Sequence, residues 1–382
     1  MNQTVLVRYD EIALKKQPVR GRFEKILVQN ISRVLKDMKI RVKREHGRIL
    51  IETLKPRETA ERVARIPGVV STSPSQKTRA TLEEIQDLAE EIAIKRFRRE
   101  GTFAVSTHRT GSHDYSSQDI NEEIGTRILN KIPSLTVDLD NPDQELFIEI
   151  RQNDAYVFTE IISGIGGLPV GAQEKSISLF QGDQASFLAT LLMLKRGSRV
   201  QLVFTDLYSS GEKTSERKQV LEISEQLKKF HSPIKIQVIP FKPIINEIPT
   251  KSPEDLTGII SWRVIMKTLE KISRNQGAEA IITSGEMTRD ESWSLQELSL
   301  IERGIKTPIL RPLTGFTEDE IHDINKEVNE FDFIKDPKKM YPKINPRGVG
   351  RVNFEELERI EDSLCINELI DQALQKSSEH EF

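Results

Sequence analysis

The chain is poor in the residue types that support disulfide, thiol and metal chemistry. Its 382 residues include one cysteine, Cys365, so no intramolecular disulfide can form. The six histidines are scattered, and none pairs with another at metal-ligand spacing, so no metal site is expected. No apolar run approaches the roughly 18–20 residues of a membrane helix, and the N-terminus lacks the regions of a secretory signal. We therefore expect a cytoplasmic protein with no membrane association.

Basic residues are in excess at only one end of the chain. Although the formal net charge is −3, residues 1–75 contain 17 Lys and Arg against 8 Asp and Glu. Residues 76–165 reverse this balance with 10 basic against 17 acidic side chains, and the remainder has 29 against 34. Such asymmetry favours a local surface for a polyanion, with a solvated charged helix face as the alternative.

The first 165 residues predict two consecutive α+β units. The first unit has the βαββαβ order of a ferredoxin-like domain. Its predicted strands lie at 4–8, 40–44, 48–52 and 69–73, and its predicted helices lie at 22–36 and 57–65. A turn at His46-Gly47 joins its two central strands. In the second unit, Thr81 and Glu84 predict a capping box at a helix start. It continues with a strand at 102–108, a polar loop at 109–117, a helix at 119–129 and strands at 146–151 and 155–162.

A glycine-rich junction at 163–171 separates these units from a third. Beyond it, patterns alternate between strands at 176–180, 199–204, 234–239 and 280–283 and helices at 184–196, 213–228 and 259–274. This alternation predicts a parallel sheet with helices on both faces, in which ligands bind at the carboxyl ends of the strands. Residues 354–376 are predicted to be helical and residues 377–382 to be frayed. The chain is thus expected to be a multidomain α/β and α+β protein.

Five short segments form a recognisable set. They are Val-Arg-Tyr-Asp-Glu-Ile-Ala-Leu-Lys-Lys at 7–16, Arg-Phe-Glu at 22–24, Asp-Leu-Asp-Asn-Pro-Asp at 138–143, Gly-Gly-Leu-Pro-Val-Gly at 166–171 and Ile-Leu-Arg-Pro-Leu at 309–313. Together they resemble the tRNA 4-thiouridine synthase, or tRNA sulfurtransferase, family over nearly the whole chain.

The resemblance implies three domains and a tRNA substrate. A ferredoxin-like domain at 1–75 and a THUMP domain at 76–165 would hold the tRNA acceptor end. A PP-loop ATP-pyrophosphatase-like domain at 172–382 would adenylate a uridine and exchange its oxygen for sulfur. We expect no rhodanese domain, which some members of the family add, because the chain ends without room for one.

The family's phosphate loop, Ser-Gly-Gly-x-Asp-Ser, is altered in this chain. Consecutive backbone N–H groups of such a loop, with the following helix N-terminus, bind pyrophosphate. Here the stretch at 181–186 reads Gln-Gly-Asp-Gln-Ala-Ser, which keeps Gly182 and Ser186 but has Asp183 in place of the second glycine. A carboxylate there repels a triphosphate by roughly 1–4 kcal/mol at about 4 Å. We favour an ordinary strand-to-helix turn capped by Asp183 over an ATP site with altered loop chemistry.

The second nucleotide segment and the catalytic thiol of the family also differ. Gly285 and Glu286 persist from its Thr-Gly-Glu-x-Leu-Gly-Gln segment, but the Leu-Gly-Gln core does not. Residues 333–346, where the family has a sulfur-relay cysteine, contain none, and Met340 cannot form a persulfide. Cys365 lies beyond them and is predicted to be a packed helix residue. We therefore predict no catalytic residue, no certain cofactor with ATP binding left open, and a vestigial nucleotide site of Gly182, Asp183, Ser186, Gly285 and Glu286.

The predicted RNA contacts are basic side chains of the two N-terminal units. They are Arg8, Lys15, Lys16, Arg20, Arg22, Lys25 and Arg109. His108 and His113 flank the loop beside Arg109, where a plain surface loop is the favoured interpretation. Phosphate contacts of this kind make affinity fall with rising salt.

These observations predict a tRNA-binding paralogue that has lost thiolation and acts in tRNA modification as a binding or partner subunit. It would form a homodimer or a hetero-oligomer with an active modifying enzyme. The alternative is an active ATP-dependent tRNA sulfurtransferase with an external sulfur carrier, which the retained glycines and Ser186 favour. A purely structural dimer module is a more distant interpretation.

Overall fold

The computed structural model describes residues 3–45, 47–207, 215–285, 294–328 and 354–382. It divides into two compact units, Met1–Leu168 (unit 1) and Pro169–Phe382 (unit 2). None of the helices within these ranges combines the length and the apolar character that crossing a bilayer requires.

Unit 1 contains both predicted α+β patterns. Its elements are β1 (Gln3–Arg8), α1 (Gln17–Val34), β2 (Ile40–Glu45), β3 (Arg48–Thr53), α2 (Pro56–Ala64), β4 (Ser71–Arg79), α3 (Leu82–Arg96), β5 (Gly101–Thr110), α4 (Ser117–Lys131), β6 (Leu135–Val137), β7 (Gln144–Arg151), β8 (Asp154–Phe158) and β9 (Ile162–Ser163). Helix α1 begins five residues earlier than predicted. Pro18 lies in its first turn, where proline is compatible with helical backbone geometry.

The helix caps of unit 1 differ from the prediction. Thr81 precedes α3, but its side chain accepts no capping hydrogen bond, so the predicted capping box is wrong. Glu84 instead accepts hydrogen bonds from the Thr78 hydroxyl at 2.8 Å and the Arg79 N–H at 3.2 Å. A reciprocal capping box forms at α4, between Ser116 and Asp119.

One sheet runs through the whole of unit 1, in the order β2-β3-β1-β4-β8-β7-β5-β6, with β9 on β4. Strand β4 joins its two halves, because Ser71–Gln76 pair with β1 and Gln76–Arg79 pair with β8. The sequence pattern predicted a strand that ends at residue 73. The proposed domain boundary between residues 75 and 76 falls inside this continuous strand.

The two faces of the sheet have different partners, as alternation along β7 shows. Leu146, Ile148 and Ile150 pack in a core with apolar side chains of α3 and α4. On the other face, Leu6 and Leu50 of the ferredoxin-like half pack with Phe147, Tyr156 and Phe158 of the second half. A small apolar cluster on this face of the sheet therefore links strands of the two halves.

Unit 2 has the predicted alternation of strands and helices. Its elements are β10 (Lys175–Leu179), α5 (Gln184–Lys195), β11 (Arg199–Asp206), α6 (Ser215–Gln226), a 3₁₀ turn (Leu227–Lys229), β12 (Lys235–Pro240), α7 (Lys242–Lys251), α8 (Thr257–Gln276), β13 (Ala280–Ile282), α9 (Leu295–Glu302), β14 (Ile309–Leu310), α10 (Glu318–Val328), α11 (Phe354–Ser363), α12 (Ile366–Gln375) and β15 (Ser378–Glu381). The sheet order is β14-β13-β10-β11-β12-β15, and all pairs except β12 with β15 are parallel.

The C-terminal residues correct two predictions. The expected frayed tail is the edge strand β15, which pairs antiparallel with β12 and adds an ion pair of 2.8 Å between Lys235 and Glu381. The expected long helix is two helices, since Cys365 takes a left-handed backbone conformation with φ of 50° between α11 and α12. Cys365 is also exposed, so the prediction of a packed helix residue is wrong.

Candidate nucleic-acid interface and nucleotide loop

Three arginines converge on one buried carboxylate in unit 1. Arg48 Nε lies 2.9 Å from Glu149 Oε1, Arg151 Nη1 lies 2.7 Å from the same oxygen, and Arg8 Nη2 lies 3.4 Å from Oε2. Burial alone would raise the pKa of Glu149, but the three guanidinium groups outweigh it and hold that pKa below its ordinary value. Because Arg8 and Arg48 belong to the ferredoxin-like half and Glu149 to the other, the cluster links the two halves.

Arg8 is a predicted RNA contact, and its guanidinium group makes contacts inside this cluster. Its Nη1 donates to the Ser73 hydroxyl at 2.9 Å, and its guanidinium group lies 5.1 Å from the centre of the Phe158 ring. Its side chain is only 18% exposed. Burial and the neighbouring charges of Arg48 and Arg151 lower the pKa of Arg8 against the opposing effect of Glu149. The position suits a residue that orients its neighbours, and the predicted phosphate contact stays a prediction.

The hairpin turn between β2 and β3 brings two further arginines together. Gly47 has a φ of 79°, which favours glycine at this position. A Cβ at Gly47 would lie 3.7 Å from Arg20 Nη2 and 3.9 Å from Arg151 Nη2. Arg20 is held by Glu24, with 2.9 Å between Nε and Oε1, and Arg151 also faces Glu45 at 3.7 Å. Two guanidinium groups from residues far apart in the sequence thus flank one glycine turn.

Arg109, another predicted RNA contact, lies near the end of β5. It lies in the strand rather than in the predicted loop, and the next residue, Thr110, pairs with Arg151. Arg109 Nη1 lies 3.5 Å from His113 Nδ1, and His113 Nε2 lies 2.6 Å from the Gln152 carbonyl. We call Arg20, Arg48 and Arg151 the basic rim, because Arg20 and Arg151 flank Gly47 and Arg48 shares Glu149 with Arg151.

The other predicted RNA contacts lie near the start of α1. Lys15, Lys16, Arg22 and Lys25 are exposed, and Arg22 stacks on the Phe23 ring at 5.2 Å. Leu14 beside them is 80% exposed, so an apolar side chain stands next to the two lysines. His108 is exposed as well, at a position that pairs with Glu149 across β5 and β7.

Sequence reasoning missed Arg48, Arg151 and the role of Glu149. In the sequence, Glu149-Ile150-Arg151 resembles the end of the family's THUMP domain, which assigns no RNA contact to Arg151, and Arg48 is one of several basic residues in a hairpin. The sequence signal was the alternation of β7, which puts Phe147, Glu149 and Arg151 on the face away from the helices. Their partners lie about a hundred residues away, and no local pattern specifies that distance.

The altered phosphate loop of unit 2 lies at the topological switch point of the parallel sheet. The chain proceeds from β10 to β11 and β12 on one side and returns to β13 on the other. The loop at 181–186 follows β10, and Gly285 follows β13, so both lie at the carboxyl edge where open α/β sheets bind ligands. The loop and Gly285 therefore occupy the edge of the sheet at which the sequence predicted a ligand.

Hydrogen bonds within the loop occupy two of its backbone N–H groups, those of Gln181 and Ser186. Asp183 caps α5, and its carboxylate accepts from the Ser186 N–H at 2.7 Å. The Ser186 hydroxyl accepts from the Gln181 N–H at 3.1 Å and donates to the Asp183 carbonyl at 3.3 Å. Burial raises the pKa of Asp183, although the hydrogen bonds from Ser186 oppose that change. The capped strand-to-helix turn expected from the sequence is what the structure contains.

Neighbouring side chains leave no space for a Cβ atom at either of the two retained glycines. Gly182 has a φ of 74°, and a Cβ there would lie 2.9 Å from Val220 Cγ2 of α6. Gly285 has a φ of 67°, and a Cβ there would lie 2.6 Å from Arg311, which pairs with Glu302. Both glycines therefore have packing reasons to persist besides any contact with a nucleotide.

Some predicted positions cannot be placed. Glu286 and residues 333–346, including Met340, lie outside the described residues. Across the ranges that the structure does describe, no three His, Cys, Asp or Glu side chains group as metal ligands would.

Comparisons with known proteins agree with this arrangement. The ThiI ferredoxin-like domain matches residues 4–73, the THUMP domain matches 79–160, and the thiamine biosynthesis protein ThiI family matches 171–366. A probable tRNA sulfurtransferase of Thermoanaerobacter pseudethanolicus is 34% identical over 87% of each chain. One of Brevibacillus brevis is 30% identical over 99% of this chain and 96% of its own. The crystal structure of a 4-thiouridine synthetase–RNA complex with bound ATP has a TM-score of 0.87 at 27% identity, with full coverage of both chains.

Fold and site together define a multidomain protein in which ferredoxin-like and THUMP domains precede a PP-loop-type α/β domain. The chain belongs to the ThiI family, whose members among its relatives are named tRNA sulfurtransferases.

Proposed function

We propose that this chain binds the acceptor region of tRNA through unit 1 and lacks the family's ATP-dependent thiolation. It would act in the cytoplasm as a binding or partner subunit in tRNA modification, as a homodimer or with an active enzyme. The observation that carries the proposal is the hydrogen bond from the Ser186 N–H to the Asp183 carboxylate. A side chain of the loop thereby takes the position of an anionic ligand.

The geometry of this loop disfavours the binding of a triphosphate. Two N–H groups of the loop, those of Gln181 and Ser186, already donate to side chains of the loop, so neither is available to a phosphate oxygen. An ionised Asp183 would also repel the phosphate by roughly 1–4 kcal/mol at about 4 Å. The loop thus disfavours the nucleotide by competition for donors and by charge.

The RNA-binding part of the proposal is supported by unit 1. The basic rim and the exposed lysines before α1 supply positive charge on two connected surfaces. THUMP and ferredoxin-like domains match this part of the chain, and the similar 4-thiouridine synthetase was solved as a complex with RNA. Folded RNA is recognised largely through shape and phosphate contacts, which suits side chains held in fixed positions.

An active ATP-dependent tRNA sulfurtransferase with an external sulfur carrier is the second candidate. The names of the relatives and the ATP bound to the similar 4-thiouridine synthetase favour it. Gly182 and Gly285 also keep positive φ at the switch point, as a phosphate-binding loop requires.

Pyrophosphate release separates the two candidates. The full chain is incubated with Mg-ATP and tRNA, and pyrophosphate and thiouridine are measured, with a sulfide donor supplied. We expect neither product above the rate without protein, whereas the second candidate requires pyrophosphate release dependent on tRNA. The triple variant Gln181→Ser, Asp183→Gly, Ala185→Asp restores the family's loop, and we expect it to bind ATP more tightly than the natural chain.

A further inference from the structure

A basic segment lies at the junction of α3 and β5, away from the RNA contacts predicted from the sequence. Residues 95–99 read Lys-Arg-Phe-Arg-Arg, and their four basic side chains are all exposed. Phe97 between them is only 7% exposed and packs on Phe103, with 5.9 Å between the ring centres. The buried ring therefore anchors the segment to the core of this half, while the cations on both sides of it stay at the surface.

Side chains from two other parts of the sheet fix the backbone of this segment. The Gln144 side chain, at the start of β7, accepts from the Arg98 N–H at 2.8 Å and donates to the Arg98 carbonyl at 3.2 Å. The Ser134 hydroxyl, next to β6, donates to the Arg99 carbonyl. Arg98 and Arg99 are thus presented on a backbone that is already ordered, which reduces the conformational entropy lost on binding.

The carboxylates around the segment do not cancel its charge. We call three of its cations the turn arginines: Arg96, Arg98 and Arg99. Glu91 pairs with Lys95 one helical turn earlier. The Asp143 carboxylate is turned to Thr102, whose N–H and hydroxyl lie 2.8 and 3.1 Å from its Oδ2. With Glu100, which is exposed, Asp143 offsets two of the three charges at most, so the turn arginines keep a net positive charge.

A solvated helix end accounts for only part of this segment. The C-terminus of a helix attracts cations, and Lys95 and Arg96 lie in the last turn of α3. Phe97 ends that helix with an extended backbone, and Arg98 and Arg99 follow it outside the helix. Arg98 Nη2 donates to the Asp143 carbonyl at 3.4 Å, which directs the side chain towards the strands. The two arginines beyond the helix therefore need another explanation.

The turn arginines are far from the basic rim. Strand β5 runs from Gly101 to Thr110, and Thr110 pairs with Arg151 of the rim. At a rise of about 3.3 Å per residue, this strand of 10 residues separates the two basic surfaces by roughly 30 Å. Because both surfaces lie on one continuous sheet, the distance between them is fixed.

We propose that the turn arginines form a second RNA contact of unit 1, which binds backbone phosphates of the tRNA at a place distant from the basic rim. The inference rests on the proposed function, since it takes tRNA as the polyanion. Arginine suits this role because its planar guanidinium group donates to phosphate oxygens in a fork geometry. Unit 1 would thus hold folded RNA along a length of its backbone rather than at one point.

A triple substitution with a matched control tests this surface. The turn variant removes three charges: Arg96→Gln, Arg98→Gln and Arg99→Gln. The control removes three exposed charges at the end of α1, another helix C-terminus: Arg33→Gln, Lys36→Gln and Lys39→Gln. Gel shift against a tRNA transcript measures both variants and the natural chain. We expect the turn variant to bind roughly fivefold or more weakly than the control at about 0.1 M salt, with a log–log salt slope shallower by at least about 0.7, the value of one phosphate.

The outcomes distinguish this surface from the proposed function. If the natural chain binds tRNA and the turn variant binds it as tightly as the control, the second contact is wrong and the proposed function stands. If the natural chain does not bind tRNA, both are wrong. Should the turn variant fail to fold, Arg99→Gln is compared with Lys39→Gln, and equal affinities of that pair overturn the second contact as well.

A variant that keeps the charge separates phosphate binding from a structural effect of the turn. Replacement of all three turn arginines by lysine conserves the positive charge, so we expect the salt slope of the natural chain. A lysine variant with the shallow slope of the glutamine variant would contradict a phosphate contact at this turn.

Discussion

At the scale of single residues, the most informative position is Asp183. Its carboxylate completes the start of α5, because it accepts the Ser186 N–H. Asp is among the residues preferred at the N-cap of a helix, and here the cap is supplied by the chain itself. The residue at this position therefore has a structural role at the helix start.

Substitutions of Asp183 separate capping from charge. Asp183→Ala should lower the free energy of unfolding by roughly 0.5–2 kcal/mol, since the cap is lost. Asp183→Asn keeps an oxygen acceptor and should be more stable than the natural chain at neutral pH, because burial raises the pKa of Asp183 and so disfavours its ionised form in the folded state. Denaturant unfolding at several pH values measures both effects. The advantage of Asn should shrink as the pH falls below the pKa of folded Asp183 and vanish below the pKa of Asp183 in the unfolded chain. Equal stability of the Ala and Asn variants would contradict this account.

Glu149 is the second residue on which the account depends. Removing one partner of a buried ion pair costs roughly 3–5 kcal/mol, and we expect Glu149→Gln to lie near the lower end, about 3 kcal/mol, because the arginines keep partial exposure. The pKa of Glu149 is lower in the folded chain, so its contribution is present above the unfolded pKa and is lost as pH falls through the folded value. The gap between Glu149→Gln and the natural chain should therefore close in acid.

Glu145→Gln is the matched control for that measurement, because Glu145 lies in the same strand and its carboxylate accepts a hydrogen bond from the Ser106 hydroxyl rather than from a cluster of arginines. We expect it to change the free energy of unfolding by less than about 1 kcal/mol. A similar loss in both variants would show that Glu149 has no special role.

At the scale of elements, strands β4 and β15 show where the sequence was insufficient. The pattern around 69–73 located a strand, but Pro74 and the polar residues after it hid its continuation to Arg79. Residues 378–381 carry Ser, Glu, His and Glu without apolar alternation, which is the pattern of a frayed end. Both strands are specified by long-range pairing, with β8 and β12 respectively, which no local periodicity reports.

Strand β15 should contribute measurably to the stability of unit 2. Deletion of residues 377–382 removes the antiparallel pairing with β12 and the hydrogen bond of 2.9 Å between Gln237 and Ser377. We expect a lower melting temperature, by roughly 2–8 °C if about 1–2 kcal/mol is lost. Glu381→Gln is the control, since it removes only an exposed ion pair with Lys235 and should have little effect. A truncated chain that melts with the natural one would show that the tail contributes nothing.

Much of the remaining architecture followed from local pattern. The βαββαβ order, the glycine-rich junction and the parallel sheet all came from apolar periodicity and turn residues, which are local signals. The alternation of strands and helices also predicted a ligand at the carboxyl ends of the strands, whereas the nucleotide loop itself was identified from its resemblance to the family's phosphate loop. The basic rim was only partly predictable, since Arg20 stood out as a basic residue but the Gly47 turn that brings it near Arg151 depends on the folded sheet.

At the scale of the whole molecule, the division of labour follows the distribution of charge. The basic excess of residues 1–75 lies in unit 1, whose two halves are joined by one sheet, by an apolar core and by the Glu149 cluster. Unit 2 has the family fold, with a loop in which the Gln181 and Ser186 N–H groups donate to side chains of the loop. Under the proposed function, unit 1 holds tRNA and unit 2 carries out no thiolation.

The dependence of tRNA affinity on salt tests this claim most directly. The full chain is titrated against a tRNA transcript at KCl concentrations from about 50 to 200 mM, and the dissociation constant is read by gel shift. With about three phosphates neutralised, the account predicts a log–log slope of roughly −2 to −3. An affinity that stays constant over this range, or the absence of binding at the lowest salt, would contradict it.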